Sequence, residues 1–228
     1  MSGVLLEKSI DKSKELISFV VGNGESRGGF DLHRLDQHET WACNLSALDF
    51  DAEHAVAADR YIVNALIKQQ CSATIWTRED NRSLYEKHEH VKYFPPLPYK
   101  GDHKYDQQIH WGSGLNAAMM ACAKDKQMIC FLGFDLYGTV EDPTKINNIY
   151  KNQDGYSDAN SRAVDPRHWI YQFERLFKLY PQTSFVFIKR LDYPRANWDE
   201  FPNVYFDTYE NLHYYLNEIR DPVVGTIA

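Results

Sequence analysis

Apolar residues in this chain fall into short unbroken runs, separated by stretches in which they recur at helical spacing. Leu16-Ile17-Ser18-Phe19-Val20-Val21 is rich in β-branched and aromatic residues and stops at Gly22. A run of that length closed by a glycine turn predicts a strand buried on both faces. Thr40 to Cys43 and His54 to Ala58 are weaker strand signals, each followed at once by a polar residue, Asn44 and Asp59. Arg60 to Gln70 then repeats apolar positions three and four apart, predicting a helix, and Ala73 to Trp76 returns to strand character. This alternation predicts βαβ units and an α/β fold with a mostly parallel sheet flanked by helices.

The pattern breaks over residues 77 to 104, polar and marked by Phe94-Pro95-Pro96-Leu97-Pro98, which reads as irregular surface chain. A helix is predicted from Ser113 to Lys124, with Leu115, Ala118, Met119 and Cys122 on one face. Met128 to Leu132 is the second clear buried strand and runs into Gly133-Phe134-Asp135-Leu136-Tyr137. Residues 138 to 165 are rich in Asn, Asp, Lys and Ser and too long for an ordinary connection, so they read as a lid insertion or a disordered insert. Asp165-Pro166 supplies an N-cap and a first-turn proline for a helix reaching Tyr180, with Trp169, Ile170, Phe173, Leu176 and Phe177 facing inward. Ser184 to Lys189 predicts a last core strand, Val204 to Phe206 an edge strand, and Tyr209 to Ile219 a closing helix.

With 228 residues, 43% of them hydrophobic, the chain can bury one substantial core, and a single α/β domain over residues 1–228 is expected. A net charge of −7 provides no overall basic field to draw nucleic acid or anionic lipid. The first twenty residues lack the order of a signal peptide, and no run approaches the roughly 18 apolar residues of a membrane span, so a cytoplasmic location is expected. Cys43, Cys71, Cys122 and Cys130 lie far apart among apolar neighbours and read as reduced core residues. The chain alone says nothing of its oligomeric state, and a homo-oligomer is left open.

The candidate chemistry gathers where strands end. Gly22-Asn23-Gly24-Glu25-Ser26 follows the first strand directly, and glycines there would let backbone N–H groups approach a phosphate or ribose. A turn that only reverses the chain is the alternative. Arg27 stands where a dinucleotide fingerprint needs its third glycine, which argues against an NAD site. Asn44 and Asp59 fall at predicted carboxyl ends of strands, where open α/β sheets place ligands, although Asp59 also suits a helix N-cap. Ser113 and Gly114 would offer a helix N-terminus to an anion. His88-Glu89-His90 has ligand-type residues but reads as solvated surface rather than zinc.

Taken in order, Gly22-Asn23-Gly24 with Ser26, Cys43-Asn44, Ser113-Gly114 and Leu132-Gly133-Phe134-Asp135-Leu136-Tyr137 resemble small bacterial sialyltransferases with a Rossmann-like fold. The same skeleton is similar to motility-accessory glycosyltransferases and archaeal hydroxymethylpterin pyrophosphokinases. The resemblance spans residues 16 to 180 as scattered short motifs. It implies metal-independent, inverting transfer from a cytidine-monophosphate sugar, with no cofactor beyond that co-substrate. Asn23, Asn44, Ser113 and Gly114 would hold the nucleotide and Tyr137 would contact the departing phosphate. A second phosphate-contacting tyrosine would be Tyr150 or Tyr156, since the matching spacing falls near Pro143. His110 stands where the family has an arginine. The family's general base is a histidine near the end of its lid, for which this chain offers His168, with Asp165 nearer the matching position.

Three functions are thus in view: a glycosyltransferase, a diphosphoryl transferase and a non-catalytic nucleotide-binding protein. Diphosphoryl transfer uses magnesium held by carboxylates, and only Asp59 and Asp135 are available for that here. No metal is therefore expected. The acceptor is open among glycan, small molecule and modified nucleic-acid base.

Overall fold

The computed structural model describes residues 16–220. Eight strands form one sheet: β1 (Ile17–Val21), β2 (Glu39–Cys43), β3 (His54–Val56), β4 (Thr74–Thr77), β5 (Val91–Tyr93), β6 (Met128–Leu132), β7 (Ser184–Lys189) and β8 (Val204–Thr208). Their order is β5-β4-β3-β2-β1-β6-β7-β8, and every adjacent pair is parallel. The helices are α1 (Arg60–Lys68), α2 (Arg82–Tyr85), α3 (Ser113–Cys122), α4 (Arg167–Leu179) and α5 (Tyr209–Arg220). The α/β reading therefore holds, with a wholly parallel sheet.

Alternation along the strands divides the core in two. Phe19, Val21, Cys130 and Leu132 face α1 and α5, while Val20, Trp41, Ile129 and Phe131 face α3 and α4. A parallel sheet covered on both faces needs apolar side chains at odd and even positions alike, which is why β1 and β6 read as unbroken runs. On the second face Phe131 stacks on Phe187 with ring centroids 4.6 Å apart, and Phe173, Phe177 and Trp198 close around them. α3 is buried almost all round, and its alanines let it sit close on the strands.

The chain winds outward from β1 to β5, then returns to lay β6 on the other side of β1. Connections leaving β1 and β6 diverge at that point and open a crevice at the strands' carboxyl ends.

Three expectations need correction. Residues 77 to 104 are not wholly irregular, because they hold α2 and β5. β5 escaped notice as a three-residue edge strand in which only Val91 is buried, and α2 as a single turn held by Tyr85, whose hydroxyl donates to Asn64 Oδ1 at 2.9 Å. The helix expected to start at Pro166 starts one residue later, with Pro166 as its cap residue, although Asp165 Oδ1 still accepts the Arg167 N–H at 3.0 Å. Finally, the stretch from 138 to 165 carries no helix or strand beyond one antiparallel bridge, Lys145 with Arg162, yet it is tied down. The Ile149 N–H donates to Asn23 O at 2.9 Å, and Ile149, Tyr150 and Tyr156 pack on the core. A few aromatic anchors supply the burial that its average composition conceals.

Among the described residues no helix is long and apolar enough to cross a membrane. All four cysteines are free, and burial pushes their thiols up, Cys43 to about 12, as fits core residues rather than reactive ones.

Candidate functional site

The turn after β1 lies directly against the turn after β6. Gly22 N–H donates to Leu132 O at 2.7 Å and Gly24 N–H to Gly133 O at 2.8 Å. A Cβ at position 22 would sit 2.5 Å from Gly133 O, and one at position 24 would sit 2.5 Å from Asp135 Oδ2. These glycines therefore make room for the neighbouring turn, and both also border the cavity at this end of the sheet. The following amides are occupied too: Glu25 N–H donates to Asn147 Oδ1 at 2.7 Å and Ser26 N–H to Asp135 Oδ2 at 2.9 Å. Ser26 is thus a buried prop for Asp135.

A cavity of about 350 Å³ opens beside this double turn, in the switch-point crevice. Its walls include Asn23, Asn44, Asp135 and Tyr137 together with the start of α3 at Gly112, Ser113 and Gly114. No side chain caps α3, so the positive end of its dipole borders the cavity. Ser113 is the first helical residue rather than the cap. Its hydroxyl accepts from Ala58 N–H at 3.0 Å and donates to Asn44 Oδ1 at 2.8 Å. That bond orients the Asn44 amide and leaves its NH₂ group for a ligand. Asn44 and Leu136, both on the wall, hold left-handed backbone at φ 57° and 63°. Asparagine tolerates this conformation, while leucine adopts it at a cost of roughly 1–2 kcal/mol.

Two acceptors on the wall, Asn23 Oδ1 and Asp135 Oδ1, are buried without a hydrogen-bond partner among the described residues. Burial raises the Asp135 carboxyl above the usual carboxylate range, against the Ser26 hydrogen bonds and the charge of Lys189. Lys189, at the end of β7, is pushed down to about 8 by its own burial. Burial also raises Tyr137, so its hydroxyl stays protonated and able to donate.

A second, more open cavity of about 640 Å³ adjoins the first, and Gly112 and Trp169 belong to both. Asp59, His110 and His168 line this second cavity and not the first. Asp59 also caps α1, accepting Tyr61 N–H at 2.8 Å. The His110 carbonyl receives Gln172 Nε2 at 3.2 Å, which fastens its segment to α4. His168 Nδ1 lies 2.9 Å from Asp165 O, and burial lowers its pKa, so the ring is neutral at pH 7. Asp165 is exposed and clasped by Arg167, whose hydrogen bond lowers it to about 2, the wrong direction for a base.

Tyr150 and Tyr156 are not on the wall of either cavity. Tyr150 hydrogen-bonds through its hydroxyl to Arg27 at 2.6 Å and to the Asp49 carboxylate. The Tyr156 hydroxyl meets Leu45 N–H at 3.3 Å and Asn23 Nδ2 at 3.5 Å, and burial raises its pKa to about 12. Both hold the 138–165 stretch and the Asn23 turn in place. Asn147 and Asn148 from that stretch do reach the first cavity, as does Trp169. Only the asparagine pair within a polar insertion hinted at them. Among the described residues the one cluster of metal-type ligands, Glu39, Glu53 and His54, sits at the amino ends of β2 and β3, away from both cavities.

The fold and this site define a class: a parallel α/β protein with a ligand-sized cavity at the switch point of its sheet. Nothing narrower is given by resemblance to known proteins, since no family model matches the chain and no curated protein or solved structure is similar to it.

Proposed function

We propose that the chain is a glycosyltransferase-like enzyme that takes a sugar from a nucleotide sugar, of the cytidine-monophosphate type, with inversion and without a metal. The observation that carries this reading is the uncapped N-terminus of α3 bordering a cavity whose other polar walls include Asn23, Asn44, Asn147, Asn148 and Tyr137, with Asp135 as its one carboxylate. Helix-terminal amides bind an anionic phosphate, and planar amides suit a base or ribose.

In the reaction the acceptor hydroxyl oxygen forms a bond to the anomeric carbon as that carbon's bond to the phosphate oxygen breaks. The electron pair leaves on the phosphate, which α3 and Tyr137 stabilise, so no metal is needed to take up the charge. The hydroxyl proton goes to His168. With Nδ1–H turned to Asp165 O, the neutral ring presents Nε2 as the base, a role worth roughly a hundredfold or more in rate. Asp165 is the poorer candidate because its carboxylate is ion-paired. The diphosphoryl reading is disfavoured because Asp59 and Asp135 line different cavities and do not converge on one cation.

The test is thermal stabilisation by a series of nucleotides, since a ligand at 100 times its Kd adds about 2.7 kcal/mol. Cytidine monophosphate should stabilise the protein, and Asn23→Ala should weaken that binding by about 0.5–1.5 kcal/mol. Transfer should survive EDTA. Activity lost to EDTA and restored by magnesium would instead support diphosphoryl transfer.

A further inference from the structure

The second cavity has a chemistry of its own. Two guanidiniums, Arg60 and Arg78, and two carboxylates, Asp59 and Asp80, line it, so its formal charge balances. The groups are planar and held in place: Arg60 Nε donates to Asn81 Oδ1 at 2.6 Å, and Arg78 forks onto Asp80 at 3.0 and 2.7 Å. Arg78 and Asp80 thus spend their fork on each other, while Arg60 and Asp59, adjacent in the chain, set a planar donor beside a planar acceptor, as adjacent hydroxyls that must both donate and accept require. A balanced site gives an anion no net attraction. Apolar surface lies among them, with Ile109 59% exposed and the half-buried Trp169 on the wall, as a sugar's C–H face requires.

Position adds the second argument. Gly112 and Trp169 belong to both cavities, so a molecule in the second abuts one in the first at the start of α3. His168 stands on the second cavity's wall beside that junction. We infer that the second cavity is an acceptor subsite for a neutral saccharide, presenting one hydroxyl to His168 and to a donor held next door. The acceptor role rests on the glycosyl-transfer reading, whereas saccharide binding itself is independent of it.

The full chain is titrated with the neutral disaccharides lactose, maltose and cellobiose while the tryptophan indole N–H signals are followed by NMR. Cytidine monophosphate is tested separately by thermal shift. At least one disaccharide should shift the Trp169 indole saturably, and Arg60→Ala should weaken it about tenfold or more, as expected when hydrogen bonds to a charged group are lost. Ile109→Ala, at an exposed position, should also weaken it, and unchanged melting temperatures will show that both variants fold. No saturable shift with any disaccharide, or a shift indifferent to both substitutions, would overturn the subsite. So would tighter binding of sialyllactose or a single-stranded oligonucleotide, because the balanced charge would then not govern selection. Disaccharide binding without stabilisation by the nucleotide would overturn the acceptor role and the donor reading together. Stabilisation by the nucleotide with no disaccharide effect would overturn the subsite alone.

Discussion

Replacing Gly24 with alanine separates two reasons for a glycine at the end of β1. The backbone at Gly24, φ −66° and ψ 147°, suits alanine, so no conformational strain is added. Taken alone, the substitution would stabilise by about 0.4–1 kcal/mol through the unfolded chain. The surroundings oppose it: the new Cβ would lie 2.5 Å from Asp135 Oδ2, 2.6 Å from that carboxyl carbon and 2.7 Å from Gly133 O. None of these can yield freely, because Asp135 is 4% exposed and held by Ser26 N–H, and Gly133 O receives the Gly24 amide. Overpacking of this kind costs about 1–3 kcal/mol. Losing the Gly24–Gly133 or Ser26–Asp135 hydrogen bond adds about 0.5–1.5 kcal/mol. The net expectation is destabilisation of about 2–3 kcal/mol, lowering the melting temperature by roughly 4–12 °C in a protein of this size. Gly28→Ala is the control, since its φ is also negative at −55° and its Cβ would meet Glu25 O at 3.1 Å and the flexible end of Arg190 at 3.9 Å, with nothing closer than 3.0 Å. It should stay within about 0.5 kcal/mol of the parent. Both variants are measured by thermal and urea denaturation with no nucleotide present. A Gly24→Ala protein as stable as the parent would refute the packing argument and return the glycine to a role in ligand approach.

Ser113→Ala should lower stability by about 1–3 kcal/mol in urea titrations, because it leaves Ala58 N–H and Asn44 Oδ1 without their partner. It should also weaken stabilisation by cytidine monophosphate, and an unaffected variant would remove this hydroxyl as the organiser of the cavity wall. His54 sets a pH dependence, since burial lowers its imidazole from 6.5 to about 4. Between those values the unfolded chain binds a proton that the folded chain refuses, so this term of stability falls as pH drops through the window. His54→Gln should flatten the pH dependence of the urea midpoint from about pH 6.5 to 4, and an identical slope would discount the residue. Limited proteolysis tests the 138–165 stretch: cuts should fall at exposed residues 152–155, become faster in Tyr150→Phe and slower with bound nucleotide. Equal rates in all three samples would show that neither Tyr150 nor ligand governs its opening.

Local pattern alone determined much of the frame. β1, β6 and β7 were legible because a strand buried on both faces must be apolar at successive positions, a requirement written entirely in its own residues. α1 and α4 were legible for the same reason, each carrying its buried stripe in its own spacing. The polar residues that follow strands, Asn23, Asn44 and Asp135, could be marked in advance because parallel strands all end on one side. Tertiary structure decided what each of them faces. Whether a glycine clears space for a ligand or for the next turn depends on β6 lying beside β1, a contact across more than a hundred residues. The same holds for Tyr150, drawn inward to Arg27 and Asp49, and for β5, whose single buried residue gives it no pattern until β4 supplies the hydrogen bonds. The split of the expected site residues between two cavities arises from the meeting of α3 and α4 at Gly112 and Trp169. Side-chain direction at such a meeting is set by how the elements pack, and no local spacing encodes it.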